Sequence, residues 1–475
     1  MVSRNQNLKL FDWCKRIGWK ENIRWILLGI FILIPFCSFV YLDTKSILHF
    51  EVNFAEALLR GNIKNFYQFC YEKVQFYLQE GIAGNHYATY DFPLHAVLGI
   101  WGIPLYLVCN VNNIEVTSSM LGILYGKSIF LLAMIGVSVL IYKICLNLEI
   151  PPKKAKSCAF LFCSSTLIIS SICIIGQSDI IGIFFILQGM NSYIKKENNR
   201  FVFWFMIAVP FKMYALFIFI PLLLLHEKRV IYIGIKGIIV VALTVISNWI
   251  FNDGSPAIEE KAKFSNHMLE KIFENKINLM NGEIPILLIL FFGICVWCYL
   301  HEKDKDFYEC AVFVPLITVT AIFISFNSYP YWFLYLTPFI AIAITYNEKY
   351  FDSVLLFETI GMTALTLGHY IQYFFCFEII NGHKMLICKL MNGEKGSKAI
   401  FLENLIQDLP DVSLGVLYAV YIVCMISIVF LCNPKFLKRR REGVAQEVDK
   451  KLNIRMLVNI CVGYIPVFLL IYNYL

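Results

Sequence analysis

The sequence predicts an all-α polytopic membrane protein, and three observations carry that prediction. Of the 475 residues 59% are apolar and only 16% charged, a composition too oily for a soluble multi-domain protein. Apolar runs of helix-spanning length recur along the whole chain. Basic residues gather in the short segments between those runs, as at Lys153, Lys154 and Lys156, then Lys195, Lys196 and Arg200, then Lys228 and Arg229. The formal charge of +7 is therefore read as membrane topology, and no nucleic-acid partner is implied.

Taken in order, residues 1–24 form a basic cytoplasmic lead and the first span is expected at 25–41, which brings Asp43 out on the other side. No cleavable signal is read there, because the first apolar run is long enough to remain as a span. Residues 43–92 are expected to be the first outer loop. Within it Ile47, Phe50, Phe54 and Leu58, and then Ile63, Phe66, Tyr67, Phe69, Val74 and Tyr77, fall at helical spacing and predict two amphipathic surface helices.

The bundle is expected over 93–432, with spans at 93–108, 121–144, 159–174, 180–193, 201–225, 231–250, 284–300, 308–326, 331–345, 354–375 and 412–432. Outer loops are expected at 251–283 and 377–411, a basic cytoplasmic loop at 433–454, and a last helix at 455–475. The whole is one integral-membrane domain over 1–475 with about 11–13 transmembrane helices, some short or broken. Keeping all basic loops on the cytoplasmic side requires that 93–110 dip without crossing. It also requires that 201–225, interrupted by Pro210, be a hairpin with Lys212 at its tip. The alternative makes both runs true spans and turns Asp179 inward.

Several chemistries have no support. No Walker-type loop, HExxH, paired CxxC or dinucleotide fingerprint occurs in a usable context, so no cofactor is expected. The outer loops offer no acidic pairs at ligand spacing, and no metal site is expected. Cys158, Cys163, Cys173, Cys295, Cys298 and Cys424 lie inside apolar runs and read as small core residues rather than bridges or ligands.

The stretch that breaks the pattern is Ile175-Gly176-Gln177-Ser178-Asp179, set between two apolar runs. A carboxylate near the bilayer is expensive unless solvated, paired or used. The stretch is either a polar turn between helices or a functional cluster. Lys212, between Phe211 and Met213, is likewise out of place as a solvated lysine; it is either a snorkelling or paired lysine, or a charge that acts on a ligand.

Together with Pro210-Phe211-Lys212 and the run to Pro221, this stretch resembles the GQxD and FKxQxxFxxP pair of bacterial integral-membrane glycosyltransferases of the GT-C superfamily. That superfamily includes the dolichyl-phosphate-sugar mannosyl- and glucosyltransferases and the GPI mannosyltransferases. Asp43 just after the first span, Gly61, Phe66-Tyr67 and the approach at Tyr90 to Pro93 add to the likeness, which covers roughly residues 25 to 225. Ile175 stands where the family often has tryptophan, Asp91-Phe92-Pro93 where it has YPP or NPP, and Tyr214 where it has glutamine.

The resemblance implies a GT-C-like bundle in the plasma membrane with its active site on the extracytoplasmic face. It implies an inverting transfer of a hexose, mannose among them, from a polyprenyl-phosphate-linked donor to a glycan or glycolipid acceptor. Asp43 would be the catalytic base, its position matching where family members carry it. Lys212 would hold the donor phosphate, because positive charge is needed where negative charge develops. Gln177 and Asp179 would orient that lysine or bind sugar hydroxyls. Tyr90, Tyr329 and Tyr331, with Tyr87 and Trp332, would face a sugar ring or simply occupy the membrane interface. Glu51 and Glu56 read as the water-facing side of a surface helix, and His369 as a hydrogen-bonded core residue in mid-span. Two other classes remain open: a flippase or transporter of lipid-linked saccharide, which should show paired inverted halves, and a polysaccharide polymerase.

Overall fold

The structure, a computed structural model, describes residues 19–39, 42–79, 87–112, 114, 116–279, 282–326, 328–371, 411–436 and 445–468. The expectations for most of the basic lead, for the outer loop at 377–410 and for the basic run Lys438 to Arg441 lie outside the described residues. Among the described residues the fold is helical apart from one antiparallel pair, β1 Lys276–Leu279 with β2 Gly282–Pro285, in register Lys276 to Pro285.

Among the described residues six helices are long and apolar enough to cross a membrane: α4 Phe92–Asn112, α5 Met120–Asn147, α11 Val230–Ile250, α14 Phe307–Ser325, α16 Phe351–His369 and α17, apolar over Leu414–Leu431. Two bent pairs raise the number to eight if each is one span: α1 Trp19–Ser38 with α2 Leu42–Leu59, and α6 Pro152–Cys163 with α7 Thr166–Ile175. The shorter apolar helices include α8 Asp179–Ile194, α10 Tyr214–His226 and α13 Ile286–Leu300. The remaining elements are α3 Phe66–Gln79, α9 Asn198–Ala208, α12 Pro256–Ile272, α15 Leu336–Tyr346 and α18 Ala445–Gly463.

Three expectations change. First, α2 is no surface helix. His49, Glu51, Asn53 and Glu56 are buried with its apolar side, and only α3 keeps the amphipathic pattern, burying Phe66, Tyr67, Cys70 and Val74. The physical reason is small residues on the facing helices. A Cβ on Gly99 of α4 would meet the Phe54 ring at 2.1 Å, one on Gly102 the Glu51 backbone oxygen at 2.7 Å, and one on Gly126 of α5 Leu48 at 2.1 Å. Second, residues 93–110, expected to dip without crossing, form one continuous helix, α4, that runs antiparallel to α2 and is long and apolar enough to cross a membrane. Third, the run 159–174 is broken: α6 and α7 meet at 49° across Ser164 and Ser165.

The exposed carbonyls of that break are met by the last helix. Arg455 donates to Leu161 O at 3.2 Å and Ser164 Oγ at 2.9 Å, and Asn459 to Ser164 O at 3.0 Å. Glu358 of α16 neutralises the buried guanidinium through a fork, Nε to Oε2 at 2.6 Å and Nη2 to Oε1 at 2.5 Å. Arg455, expected at the end of the last span, is thus an interior residue.

The hairpin at 201–225 is present. Phe219 of α10 packs on Phe201 and Phe205 of α9 at 5.0 and 5.3 Å, and Asn198 and His226 meet at 3.0 Å at the open end. Its arms of 11 and 13 residues are about 16 and 20 Å long, short of a bilayer core of about 30 Å. Pro210 and Lys212 are at the tip. Cys158, Cys163, Cys173, Cys295, Cys298 and Cys424 are buried and unbridged.

The glycine contacts give a direct test. Gly102→Ala presses a methyl group on the α2 backbone, which cannot move aside as a side-chain end can, and should destabilise the protein by about 1–3 kcal/mol. Gly234→Ala, where nothing stands within 4 Å, should leave the thermal midpoint of the detergent-solubilised protein unchanged. Equal midpoints for the two variants would contradict the close approach of α2 and α4.

Candidate active site

The polar stretch at 175–179 owes its shape to one glycine. The end of α7 is wound as a π-helix over Ile169–Ile175, and Gly176 stops it with φ of 76°, in the left-handed region that favours glycine. The Gln177 N–H returns to Ser171 O at 3.0 Å. A Cβ on Gly176 would also stand 2.8 Å from Thr44 Oγ1, and that hydroxyl donates to Ile175 O at 2.5 Å. The start of α2 is thereby pressed against the turn, and the Gln177 amide donates a short hydrogen bond to Asp43 Oδ2.

Asp179 opens α8, where a carboxylate suits the helix dipole. Its Oδ1 lies 3.2 Å from Lys212 Nζ at the hairpin tip. The side chains are 4% and 15% exposed, so the pair is screened from water but the lysine still reaches open space. Asp179 Oδ2 has no hydrogen-bond partner among the described residues. Lys212 Nζ also stands over the Trp332 ring at 4.8 Å and the Tyr90 ring at 5.7 Å, within cation–π range.

The aromatic residues come from two segments. Tyr329 and Tyr331 stack in parallel at 5.6 Å, with Trp332 edge-on to Tyr329 at 5.1 Å. Tyr90 is held by Tyr67, whose hydroxyl donates to Tyr90 O at 2.8 Å. Burial, and then Asp179 and Asp43, push the Tyr90 hydroxyl well above its ordinary pKa, so it stays neutral and can donate but cannot serve as a base.

Asp43, Gln177, Lys212, Tyr90, Tyr329 and Tyr331 all line one cavity of about 960 Å³, with Tyr87 and Trp332. Asp179 backs Lys212 from behind. The cavity matches the upper size of small-molecule sites. One wall is α2 through Ser46, Ile47 and Phe50, another is α11 through Thr244 and Asn248, and the cover is α12. No protein family, curated protein or solved structure matches the chain. The site is therefore argued from its own chemistry.

That chemistry includes two features missing from the sequence reading. Lys127 of α5 is 1% exposed and donates to Phe36 O at 2.8 Å, Phe39 O at 2.9 Å and Cys173 O at 3.0 Å. It joins the end of α1 to the π-turn beneath Gln177. The signal was a cation seven residues into a 28-residue apolar helix, a placement that rarely lacks a partner. The other is α12, expected only as part of an outer loop, although Ser255-Pro256 marks a helix start.

Two expectations are corrected. Glu51 is 0% exposed with neither carboxyl oxygen hydrogen-bonded among the described residues, and Glu56 is buried against Lys73 and Arg60 at 3.1 and 2.7 Å. Neither faces water, because α2 is an interior helix. His369 is buried where α16 passes into a π-helical turn at 370–371, and the rest of the expected span lies outside the described residues; its ring packs on Phe333 at 5.0 Å, and, against the hydrogen-bonded residue expected, its Nε2 finds no partner among the described residues.

Lys127→Met keeps the length and removes the donor. It leaves carbonyls at two helix ends without their partner and should cost roughly 3 kcal/mol or more, since each buried unpaired acceptor costs about 1–3. The check is a lowered thermal midpoint; an unchanged midpoint would show that the carbonyls find other donors.

Proposed function

We propose that the chain is an inverting membrane glycosyltransferase that moves a hexose from a polyprenyl-phosphate-linked donor to a glycan or glycolipid acceptor. The observation that carries this reading is the placing of Asp43 and Lys212 on the walls of one cavity with an aromatic lining, each fixed by a separate partner. The acceptor hydroxyl attacks the anomeric carbon and Asp43 takes its proton. The bond from that carbon to the phosphate oxygen breaks, and its electron pair stays on the phosphate, beside the Lys212 ammonium.

The partners have defined tasks. Gln177 donates to Asp43 Oδ2 and fixes the carboxylate that would take the acceptor proton. Asp179 pairs with the Lys212 ammonium from behind and holds it at the cavity wall. Tyr331 and Trp332 offer apolar faces to a sugar ring. The resemblance of residues 25–225 to GT-C glycosyltransferases supports the same assignment, and with it a site on the extracytoplasmic face of the plasma membrane.

Activity is tested by release of polyprenyl phosphate from polyprenyl-phosphate mannose or glucose by the purified protein. Asp43→Asn keeps the shape and should lower transfer by about 10²- to 10⁴-fold, the scale of general-base catalysis. Lys212→Met should lower it by about 10²- to 10³-fold, the scale of one preorganised charge. Full transfer by Asp43→Asn would move the base elsewhere, and full transfer by Lys212→Met would leave the lysine architectural.

Sidedness has its own test on the exposed face of α12. In a chain whose native cysteines are replaced, Ser265→Cys should react with an impermeant thiol reagent in intact cells. Reaction only after permeabilisation would place the cavity mouth in the cytoplasm.

A further inference from the structure

The cover of the cavity is a separate amphipathic helix, seated at its near end by a lysine. Lys261, near the start of α12, is 11% exposed along its side chain although it belongs to an outer segment. Its ammonium meets Asp91 Oδ1 at 2.8 Å, Asn248 Oδ1 at 2.7 Å and the Tyr67 hydroxyl at 3.1 Å. Those three partners come from the segment leading into α4, from α11 and from α3. One lysine thus fastens the cover to three elements of the rim.

Its partners lead straight to the site. Tyr67, which accepts from Lys261, donates to the Tyr90 carbonyl at 2.8 Å, and Asp91 is the next residue in the chain. The Tyr90 ring lies 5.7 Å from Lys212 Nζ and meets the Phe264 ring of α12 edge-on at 6.4 Å. At the far end of α12 the attachment is weaker in kind: Lys271 lies over the Tyr329 ring at 3.8 Å, and Asn275 donates to Ser325 O at 2.9 Å.

We propose that Lys261 is a positioning residue: it seats α12 as the cap of the cavity and, through Tyr67 and Asp91, fixes Tyr90 against Lys212. The cap excludes water from the space between Asp43 and Lys212, and its seating sets the aromatic face beside the charge. The inference rests on the transferase reading only for what the cavity holds; the seating of the cap stands on geometry alone.

The experiment separates the two. Full-length protein in lipid nanodiscs, with native cysteines replaced and Ser46→Cys on the cavity wall, is labelled with a water-soluble maleimide. Lys261→Met should speed labelling by about tenfold, the equivalent of one lost charged hydrogen bond, while Lys261→Arg should label close to the parent rate. Asp91→Asn, which removes one of the three partners, should fall between them and serves if Lys261→Met does not accumulate. In parallel, transfer from polyprenyl-phosphate mannose should fall in Lys261→Met and return in Lys261→Arg. Parent-like labelling in the folded Lys261→Met or Asp91→Asn variant overturns the cap, even if the parent transfers sugar. Faster labelling in a protein that transfers from no polyprenyl-phosphate sugar leaves the cap in place and overturns the function.

Discussion

A broken helix in the middle of the bundle is the constraint that the rest of the structure answers. The run from Pro152 to Ile175 bends at Ser164 and stops at Gly176, so its carbonyls lose their helical partners twice. Both losses are met by cations from distant helices. Arg455, neutralised by Glu358, serves the bend, and Lys127 serves the end. A buried charge without such partners would be costly; here the helix breaks supply the acceptors and the cations supply the donors.

The site follows from that arrangement. Because Lys127 ties Cys173 to the end of α1, and Thr44 ties Ile175 to the start of α2, the polar turn and the first carboxylate of α2 are brought together from opposite ends of a long chain interval. The hairpin α9–α10, with arms shorter than a bilayer core, then delivers Lys212 to the same space. Each charge arrives with a partner: Asp43 with Gln177, Asp179 with Lys212. Of the three charges Lys212 alone is positive, and its pairing with Asp179 fixes where that cation stands.

Much of this was legible in the sequence, for definite reasons. Apolar runs report helices, and polar residues inside them report either function or capping; the 175–179 stretch and Lys212 were found on that basis, as was the hairpin, from Pro210 and the basic loops. The rest was not legible because it depends on pairs far apart in the chain. Glu51 looks like a water-facing residue by periodicity, and only Gly99, Gly102 and Gly126 on two later helices make its position interior. Lys127 and Arg455 could be recognised as unusual, but the carbonyls they serve appear only once the breaks in other helices are placed. The Lys261 contacts likewise join three segments that share no sequence signal.

The same helix that carries Asp43 carries a second carboxylate two turns on, and the contrast between them limits which can act on a ligand. Asp43 stands at the α2 N-terminus on the cavity wall, held by a side-chain amide and half-buried. Glu51 has turned into the contact with α4 and α5, where a Cβ on Gly102 or Gly126 would meet its own atoms within 3 Å. A proton from an acceptor hydroxyl has a path to the first and none to the second. On the proposed reading the base is therefore selected by access, since both residues offer the same functional group from the same element. The interior position of α2, which the sequence did not reveal, is what separates them.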